Sequence, residues 1–222
     1  MKNLKRVLML SSVLVAVAPA ASFAQEAADS AEYADEIIVT GVAKATTVFQ
    51  SSASVSALPS EEIQNLAPRS INELFRAIPG VKSEDTGGDA NANIKVRGLP
   101  IASGGSRYLS LQEDGFPTLL IGDVAFSTAD SYLRVDNTIG SVQSIRGGSA
   151  STQAPNAAGG IINLLSRKPT ERGGSIAGTA GLNYDSYRLD AEFGDALDNG
   201  IYYHIGGFAR TGEGVRKTVG NF

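Results

Sequence analysis

The 222-residue chain carries a formal net charge of −4 and 42% hydrophobic residues, a composition typical of a globular protein and not of a disordered one. The acidic balance argues against nucleic acid as a partner, because binding to a phosphate backbone favours an excess of basic residues. Cysteine is absent, which excludes disulfides, thiolate metal sites and a lipid-modified N-terminal cysteine.

Residues 1–24 have the three parts of a secretory signal peptide. Residues 1–6 are basic, residues 7–18 are almost wholly apolar, and Ser22 and Ala24 place small residues just before a cleavage site. The apolar run is shorter than the ~20 residues that a membrane-spanning helix needs. We therefore predict cleavage after position 24 and export from the cytoplasm.

Residues 25–53 are predicted to form a flexible N-terminal segment that contains one short strand-forming peptide. The peptide places β-favouring residues between a charged pair and a glycine, and consists of Asp35, Glu36, Ile37, Ile38, Val39, Thr40 and Gly41. A partner could capture such an exposed peptide by adding it to the edge of a sheet. The alternative is that this peptide is simply the first strand of the folded domain.

Residues 54–168 show the pattern of a compact α+β domain with a small mixed sheet and short helices. A first helix is predicted with Ser60 as its N-cap and acidic residues in its first turn. A second helix begins with a capping box from Ser70 to Glu73, continues at helical spacing and stops at Pro79–Gly80.

Four short strands are predicted in the same domain. The alternation of Ile94 with Val96, and of Leu109 with Leu111, predicts two half-buried strands, the second ending at an Asp-Gly turn. Two more strands are predicted at residues 142–146 and 160–165.

Residues 173–222 alternate with a strict period of two. Three segments of about ten residues each present an apolar face, the first two being joined by a turn at Asp185–Ser186. The only histidine, His204, falls on the less apolar face, which would line the lumen of a barrel. These segments are predicted as the first three antiparallel strands of a transmembrane β-barrel, although a soluble meander has the same alternation.

Five passages together resemble the TonB-dependent outer-membrane receptor family, in the order found in that family. They are the TonB-box-like peptide at 36–41, "SINELFRAIPGV" at 70–81, "IKVRGL" at 94–99, "EDGFP" at 113–117 and the long stretch at 139–169. The resemblance implies a signal peptide, a TonB box, a plug domain and the beginning of a barrel. It also implies the periplasm-spanning protein TonB as partner and the outer membrane as location, with lipid contacts where the barrel is complete.

The plug motifs of the family fall on nine residues of this chain: Arg97, Gly98, Asp114, Gly115, Arg146, Gly147, Gly159, Gly160 and Asn163. The resemblance implies that Arg97 and Arg146 can pair with barrel glutamates that hold the plug. The chain departs from the family pattern at Gln143, where family members often carry a glutamate, and at residues 152–154. An anion site at the Arg-Gly turns is a weaker alternative, because neither turn has the Lys-Ser/Thr of a phosphate-binding loop.

The function that the resemblance implies is energy-coupled uptake of a scarce extracellular ligand, an iron chelate or another nutrient. No enzyme activity, catalytic residue, cofactor or metal site is predicted. At ~10 residues per strand, the residues after Arg172 suffice for three barrel strands, so we expect an N-terminal part of a receptor, located in the periplasm if the protein ends there. The alternative function is a soluble periplasmic binding or interaction module.

Overall fold

The computed structural model describes residues 38–39, 46–47, 53–85, 91–103, 107–119, 129–155, 157–182 and 185–212. The predicted signal peptide and most of the TonB-box-like peptide lie outside these residues. Strand β1 (Ile38–Val39) pairs antiparallel with β2 (Thr46–Thr47) in a separate two-stranded sheet. The box-like peptide therefore forms a strand at its centre, and that strand is not part of the larger sheets.

The central sheet has five strands in the order β3-β9-β10-β7-β8. Its strands are β3 (Ser54–Pro59), β7 (Leu109–Glu113), β8 (Phe116–Pro117), β9 (Ile139–Arg146) and β10 (Gly160–Ser166). Strand β10 pairs antiparallel with β9 and parallel with β7, so the predicted mixed sheet is confirmed. Among the described strands, β3 lies at the edge of this sheet and pairs with β9.

A second sheet of three strands, in the order β4-β5-β6, completes the domain. It contains β4 (Val81–Asp85), β5 (Ala92–Val96) and β6 (Ala102–Ser103). In the part of the chain that the structure describes, the helices are α1 (Ser60–Leu66) and α2 (Ile71–Arg76), and 3₁₀ turns span Ala129–Tyr132 and Gly148–Thr152.

The main core joins α2 to both sheets. Leu74 and Phe75 of α2 are fully buried in the same cluster as Ile94, Leu111 and Ile162. The apolar spacing of the second helix therefore marks its buried face, as predicted.

Strand β7 departs from its prediction as half-buried. Ser110 and Gln112, on the face opposite Leu109 and Leu111, are buried as well. The side-chain amide of Gln112 donates to the Ser110 hydroxyl at 3.0 Å. This pairing partly compensates for the burial of two polar side chains.

Helix α1 begins without the predicted side-chain cap. Its N-cap is Pro59, which makes no capping hydrogen bond, and Ser60 is already the first helical residue. The predicted N-cap therefore lies one position too late in the chain. Strand β3 ends at Pro59 and runs directly into the helix, so Ser60 already has helical geometry. Glu61 and Glu62 do lie in the first turn, where the helix dipole favours negative charge.

Helix α2 has half of the predicted capping box. The Ser70 hydroxyl accepts from the Glu73 amide at 3.3 Å, but the Glu73 carboxylate turns to Arg69. It accepts from the Arg69 amide at 2.8 Å and pairs with the Arg69 guanidinium. Burial alone would raise the pKa of Glu73, but these hydrogen bonds from Arg69 outweigh it, so the pKa lies below its usual value of 4.5.

We expect Glu73 to make stability depend on acid pH. Because its pKa is lower in the folded state, its contribution is present above about pH 4.5 and is lost as pH falls through the lowered folded-state pKa. Glu73→Gln should therefore lower the free energy of unfolding at pH 7 and flatten its fall below pH 4.5. Urea unfolding at pH values from about 3 to about 7, a range that includes the titration of carboxylates, measures the free energy of unfolding. Glu61→Gln, in the first turn of α1, is the matched control, and an equal flattening there would contradict the assignment.

The remaining strands form a separate antiparallel sheet, called here the wall sheet. It consists of β11 (Gly173–Ala180), β12 (Ser186–Ala196) and β13 (Tyr202–Gly212). The predicted three strands are confirmed, but the predicted turn is wrong at Ser186. That residue begins β12, and its carbonyl accepts from the Gly181 amide at 2.7 Å, so the first strand ends earlier than expected.

The two faces of the wall sheet differ in character, as the alternation predicts. Ile176, Leu189 and Ile205 are 79%, 54% and 70% exposed, whereas Asp190 and Glu192 are 6% and 9% exposed. The exposed face is therefore apolar, and the charged face is covered by the rest of the protein. Among the described residues, no helix is both long enough and apolar enough to cross a membrane.

Candidate functional site

Arg97 and Arg146 converge on a single serine hydroxyl. Arg97 follows β5 directly, Arg146 ends β9, and Ser54 begins β3. The Ser54 Oγ accepts from the Arg97 guanidinium at 2.7 Å and from that of Arg146 at 3.2 Å. Arg146 also donates to the Ser144 hydroxyl at 3.0 Å. Gly80, with a φ of 80°, lies beside both arginine side chains.

The two guanidinium groups form a pair of like charges. Arg146 is only 8% exposed, and burial followed by the positive charge of Arg97 lowers its pKa. Neither arginine forms an ion pair with a carboxylate of the described residues. Pairing of Arg97 and Arg146 with barrel glutamates therefore stays a prediction.

Three motif glycines surround the end of β9. The Gly147 amide donates to the Gly159 carbonyl at 3.0 Å, and the Gly159 amide donates to Tyr108 at 2.7 Å. Gly147 and Gly160 have φ values of 98° and 149°, which side-chain-bearing residues rarely adopt. Gly98 differs, because a Cβ added there would meet nothing within 4 Å.

Asp114, Gly115 and Asn163 are brought together at the other end of β10. Asp114, at a φ of 50°, accepts from the Ser166 amide at 2.8 Å and from its hydroxyl at 2.6 Å. The Asn163 side chain accepts from the Gly115 amide at 3.0 Å. The nine motif residues thus do not form one cluster. Asp114, Gly115 and Asn163 lie at one end of β10, Arg146, Gly147, Gly159 and Gly160 lie at its other end, and Arg97 and Gly98 follow β5.

A buried ionic cluster lies where the chain leaves the central sheet for the wall sheet. Arg167 forms an ion pair with Glu192 of β12 at 3.1 Å, and the other Glu192 oxygen lies 2.7 Å from His204 Nε2 on β13. The Glu192 and His204 side chains are only 5% and 8% exposed. These three residues are called here the exit cluster. The predicted inward orientation of His204 is confirmed.

Two glycines of the wall sheet allow it to lie close to Thr138 and Pro169. A Cβ on Gly206 would lie 2.8 Å from both Glu192 Cβ and Thr138 Cγ2. A Cβ on Gly194 would lie 2.9 Å from Pro169 Cγ. Both distances are too short for real contacts, so a side chain at either position would displace Thr138 or Pro169 from the wall sheet.

A second polar contact joins the wall sheet to the α+β domain. Two nitrogens of Arg188 contact the Asp190 carboxylate, each at 2.7 Å. The same guanidinium donates to the Val135 carbonyl and lies 3.9 Å from the centre of the Phe208 ring. The sequence shows these inward charges as an alternating pattern on β12, but it does not show what they contact.

The comparisons with known proteins decide the family. A family model described as the TonB-dependent receptor plug domain matches residues 47–161, just over half of the chain. The chain belongs to this plug-domain family. The predicted fold class, a plug followed by antiparallel strands, is confirmed.

Curated relatives include an outer membrane virulence protein and a vitamin B12 transporter. The chain is 26% identical over 167 residues to the iron-regulated outer membrane virulence protein of Vibrio cholerae, covering 73% of this chain and 24% of that protein. It is 28% identical over 174 residues to the vitamin B12 transporter BtuB of Photobacterium profundum, covering 78% and 27%. The plug-family chain thus spans about a quarter of the length of these curated relatives.

Solved receptor structures share the fold. The ferric yersiniabactin uptake receptor FyuA of Yersinia pestis matches with a TM-score of 0.54 at 22% identity, covering 70% of this chain and 24% of that chain. The alcaligin outer membrane receptor FauA of Bordetella pertussis matches with a TM-score of 0.59 at 16% identity, covering 78% and 29%. At these identities the likeness shows a shared fold over about 70–78% of this chain.

Proposed function

We propose that this chain provides the coupling peptide, plug and first wall strands of an outer-membrane receptor for energy-coupled uptake of a scarce extracellular ligand. The observation that carries the proposal is the docking of a plug-family domain against the charged face of a sheet whose other face is apolar. Such a sheet suits a wall between lipid and a plugged lumen. Its exposed Ile176 and Ile205 favour this function over a soluble periplasmic module.

The box-like peptide at residues 35–41 is assigned to the contact with TonB. Its strand β1 pairs with β2 through Ile38↔Thr47 and Val39↔Thr46, and belongs to neither of the plug sheets. A two-stranded sheet keeps one free edge on each strand, and an edge strand can be extended by a partner's strand. We assign residues 1–24 to export and residues 54–168 to the plug.

The arginine pair is assigned to plug retention. Arg97 and Arg146 both donate to the neutral hydroxyl of Ser54, and neither pairs with a carboxylate among the described residues. A partly buried charge such as that of Arg146 is costly unless it is paired. We propose that glutamates of the remaining receptor supply this countercharge. The ligand class is proposed from the relatives as an iron chelate or a corrinoid.

Ile38→Pro should weaken binding of the mature chain to the purified C-terminal domain of TonB. Proline removes a backbone donor and disrupts β1, so the added strand loses its hydrogen bonds. Isothermal titration calorimetry measures the affinity, and we expect a loss of at least roughly tenfold, which corresponds to about 1.4 kcal/mol or more of lost backbone pairing.

The matched control is Ala43→Pro, which introduces the same residue beyond the box-like peptide. It should bind nearly as tightly as the unchanged chain. Equal losses for Ile38→Pro and Ala43→Pro, or no binding by the unchanged chain, would contradict the assignment. Recovery of the chain wholly in the soluble periplasm as a folded monomer would instead favour the binding module.

A further inference from the structure

Ser54 occupies a special position at the beginning of the plug. It is the first residue of β3, the first plug strand that follows the β1–β2 sheet in the chain. Its hydroxyl accepts from Arg97 at 2.7 Å and from Arg146 at 3.2 Å. A hydrogen bond from a charged donor is stronger than one from a neutral donor. One small side chain therefore ties the edge strand to two different parts of the plug.

The serine also holds two like charges together. Arg97 and Arg146 come from sequence positions 43 and 92 residues away from Ser54. Each guanidinium repels the other, and the shared acceptor partly offsets that repulsion. If the Ser54 hydroxyl moves away, Arg97 and Arg146 lose the acceptor that they share.

Strand β3 lies at the edge of the central sheet, so its separation would not break the pairing between the other strands, including that of β10 with β9 and β7. Its ladder runs from the Ser54↔Arg146 pair to the Pro59↔Ser141 pair. Its apolar contacts are few: Val55 packs partly buried against the smaller core cluster, and Leu58 is buried in the main core.

The opposite end of the plug is held much more firmly. The exit cluster places an ion pair and a histidine contact in a site where Glu192 and His204 are almost completely buried. Strand β10, which leads to it, is paired on both sides. Within the plug domain, a pull transmitted along the chain from its N-terminal side therefore reaches Ser54 before it reaches the exit cluster.

We propose that Ser54 is a positioning residue that holds the edge strand β3 against β9, and that separation of its hydroxyl from Arg97 and Arg146 is the first step of plug opening. This inference rests on the proposed function only for the direction of the pull. Opening then proceeds from Ser54 towards Pro59, while β9, β10 and the exit cluster stay in place.

Hydrogen exchange of the mature chain in detergent micelles tests the closing role without any partner. Ser54→Ala should accelerate exchange of the backbone amides of residues 55–58 roughly tenfold, because two hydrogen bonds to charged donors are lost. Exchange in β10 should stay unchanged. Ser54→Thr, which keeps the hydroxyl, should restore slow exchange. In an Arg97→Gln background, Ser54→Ala should have a clearly smaller effect.

The matched control is Ser56→Ala, on the same face of the same strand. Ser56 pairs with Ser144 in the ladder, and its hydroxyl makes no hydrogen bond to a described residue. Equal acceleration by Ser54→Ala and Ser56→Ala would overturn the inference, as would an equal acceleration in β10, which would indicate general destabilisation. Failure of TonB to bind would leave these exchange results unaffected, so the two proposals fail separately.

Single-molecule stretching tests the order of opening. Because the chain has no cysteine, Gly41→Cys and Asp198→Cys would provide two unique attachment points. The first extension step should correspond to the six residues of β3, roughly 20 Å at ~3.3–3.6 Å per residue. Ser54→Ala should lower the force of that step and leave later steps unchanged. A first step that instead separates the exit cluster would overturn the proposed order.

Discussion

Glu192→Ala is expected to lower the free energy of unfolding of the chain by about 3 kcal/mol, the cost of removing one partner from a buried ion pair. The carboxylate contacts Arg167 at 3.1 Å and His204 at 2.7 Å, and its side chain is only 5% exposed. Removal of the carboxylate leaves the Arg167 guanidinium and the His204 imidazole without the group that both of them contact. It also loosens the contact between the plug exit and the wall sheet.

Urea unfolding in detergent micelles, followed by far-UV circular dichroism because the chain has no tryptophan, measures this effect. Asp195→Ala is the matched control: Asp195 lies on the same strand and forms no ion pair with a described residue. It should change stability by less than about 0.5 kcal/mol. A double-mutant cycle of Glu192→Ala with Arg167→Gln should give a coupling of about 1 kcal/mol or more. Independent effects would show that the two side chains do not stabilise each other.

The elements of the plug could be predicted where local chemistry determines them. The Ser70 cap, the apolar face of α2 and the Asp-Gly turn after β7 each depend on residues only a few positions apart. The inward orientation of His204 could be predicted for the same reason, because side chains in a strand alternate between two faces. The errors at Ser60 and Ser186 are shifts at element boundaries, where local signals are weakest.

The contacts that join these elements could not be predicted from local patterns. The Ser54–Arg146 contact joins residues 92 positions apart, and the Arg167–Glu192 pair joins residues 25 positions apart. Family resemblance indicated the arginines as candidates for pairing with barrel glutamates, but nothing in the sequence indicated a serine between them. Burial of both faces of β7 likewise depends on strands that are distant in the chain.

Gly160→Ala is expected to destabilise the plug by about 3 kcal/mol or more, because both the backbone conformation and the available space require glycine. Gly160 has a φ of 149° and begins β10, opposite Arg146 in the central sheet. A Cβ there would lie well inside the van der Waals contact distance of the Ile145 carbonyl oxygen and 3.3 Å from Arg146 Cα. Backbone atoms cannot rotate away as the end of a side chain can, so β9 and β10 would have to separate.

Gly98→Ala is the control for this prediction, because it makes the same change at another motif glycine. A Cβ at Gly98 meets nothing within 4 Å, and the residue does not have a left-handed φ. It should therefore change the free energy of unfolding by no more than about 0.5 kcal/mol in the same urea titration. Equal destabilisation at Gly98 and Gly160 would show that motif glycines are required for a reason other than the packing of β9 against β10. A large difference would show that the family motif contains glycines with different physical roles, one of which fixes the strand pair beside the buried Arg146.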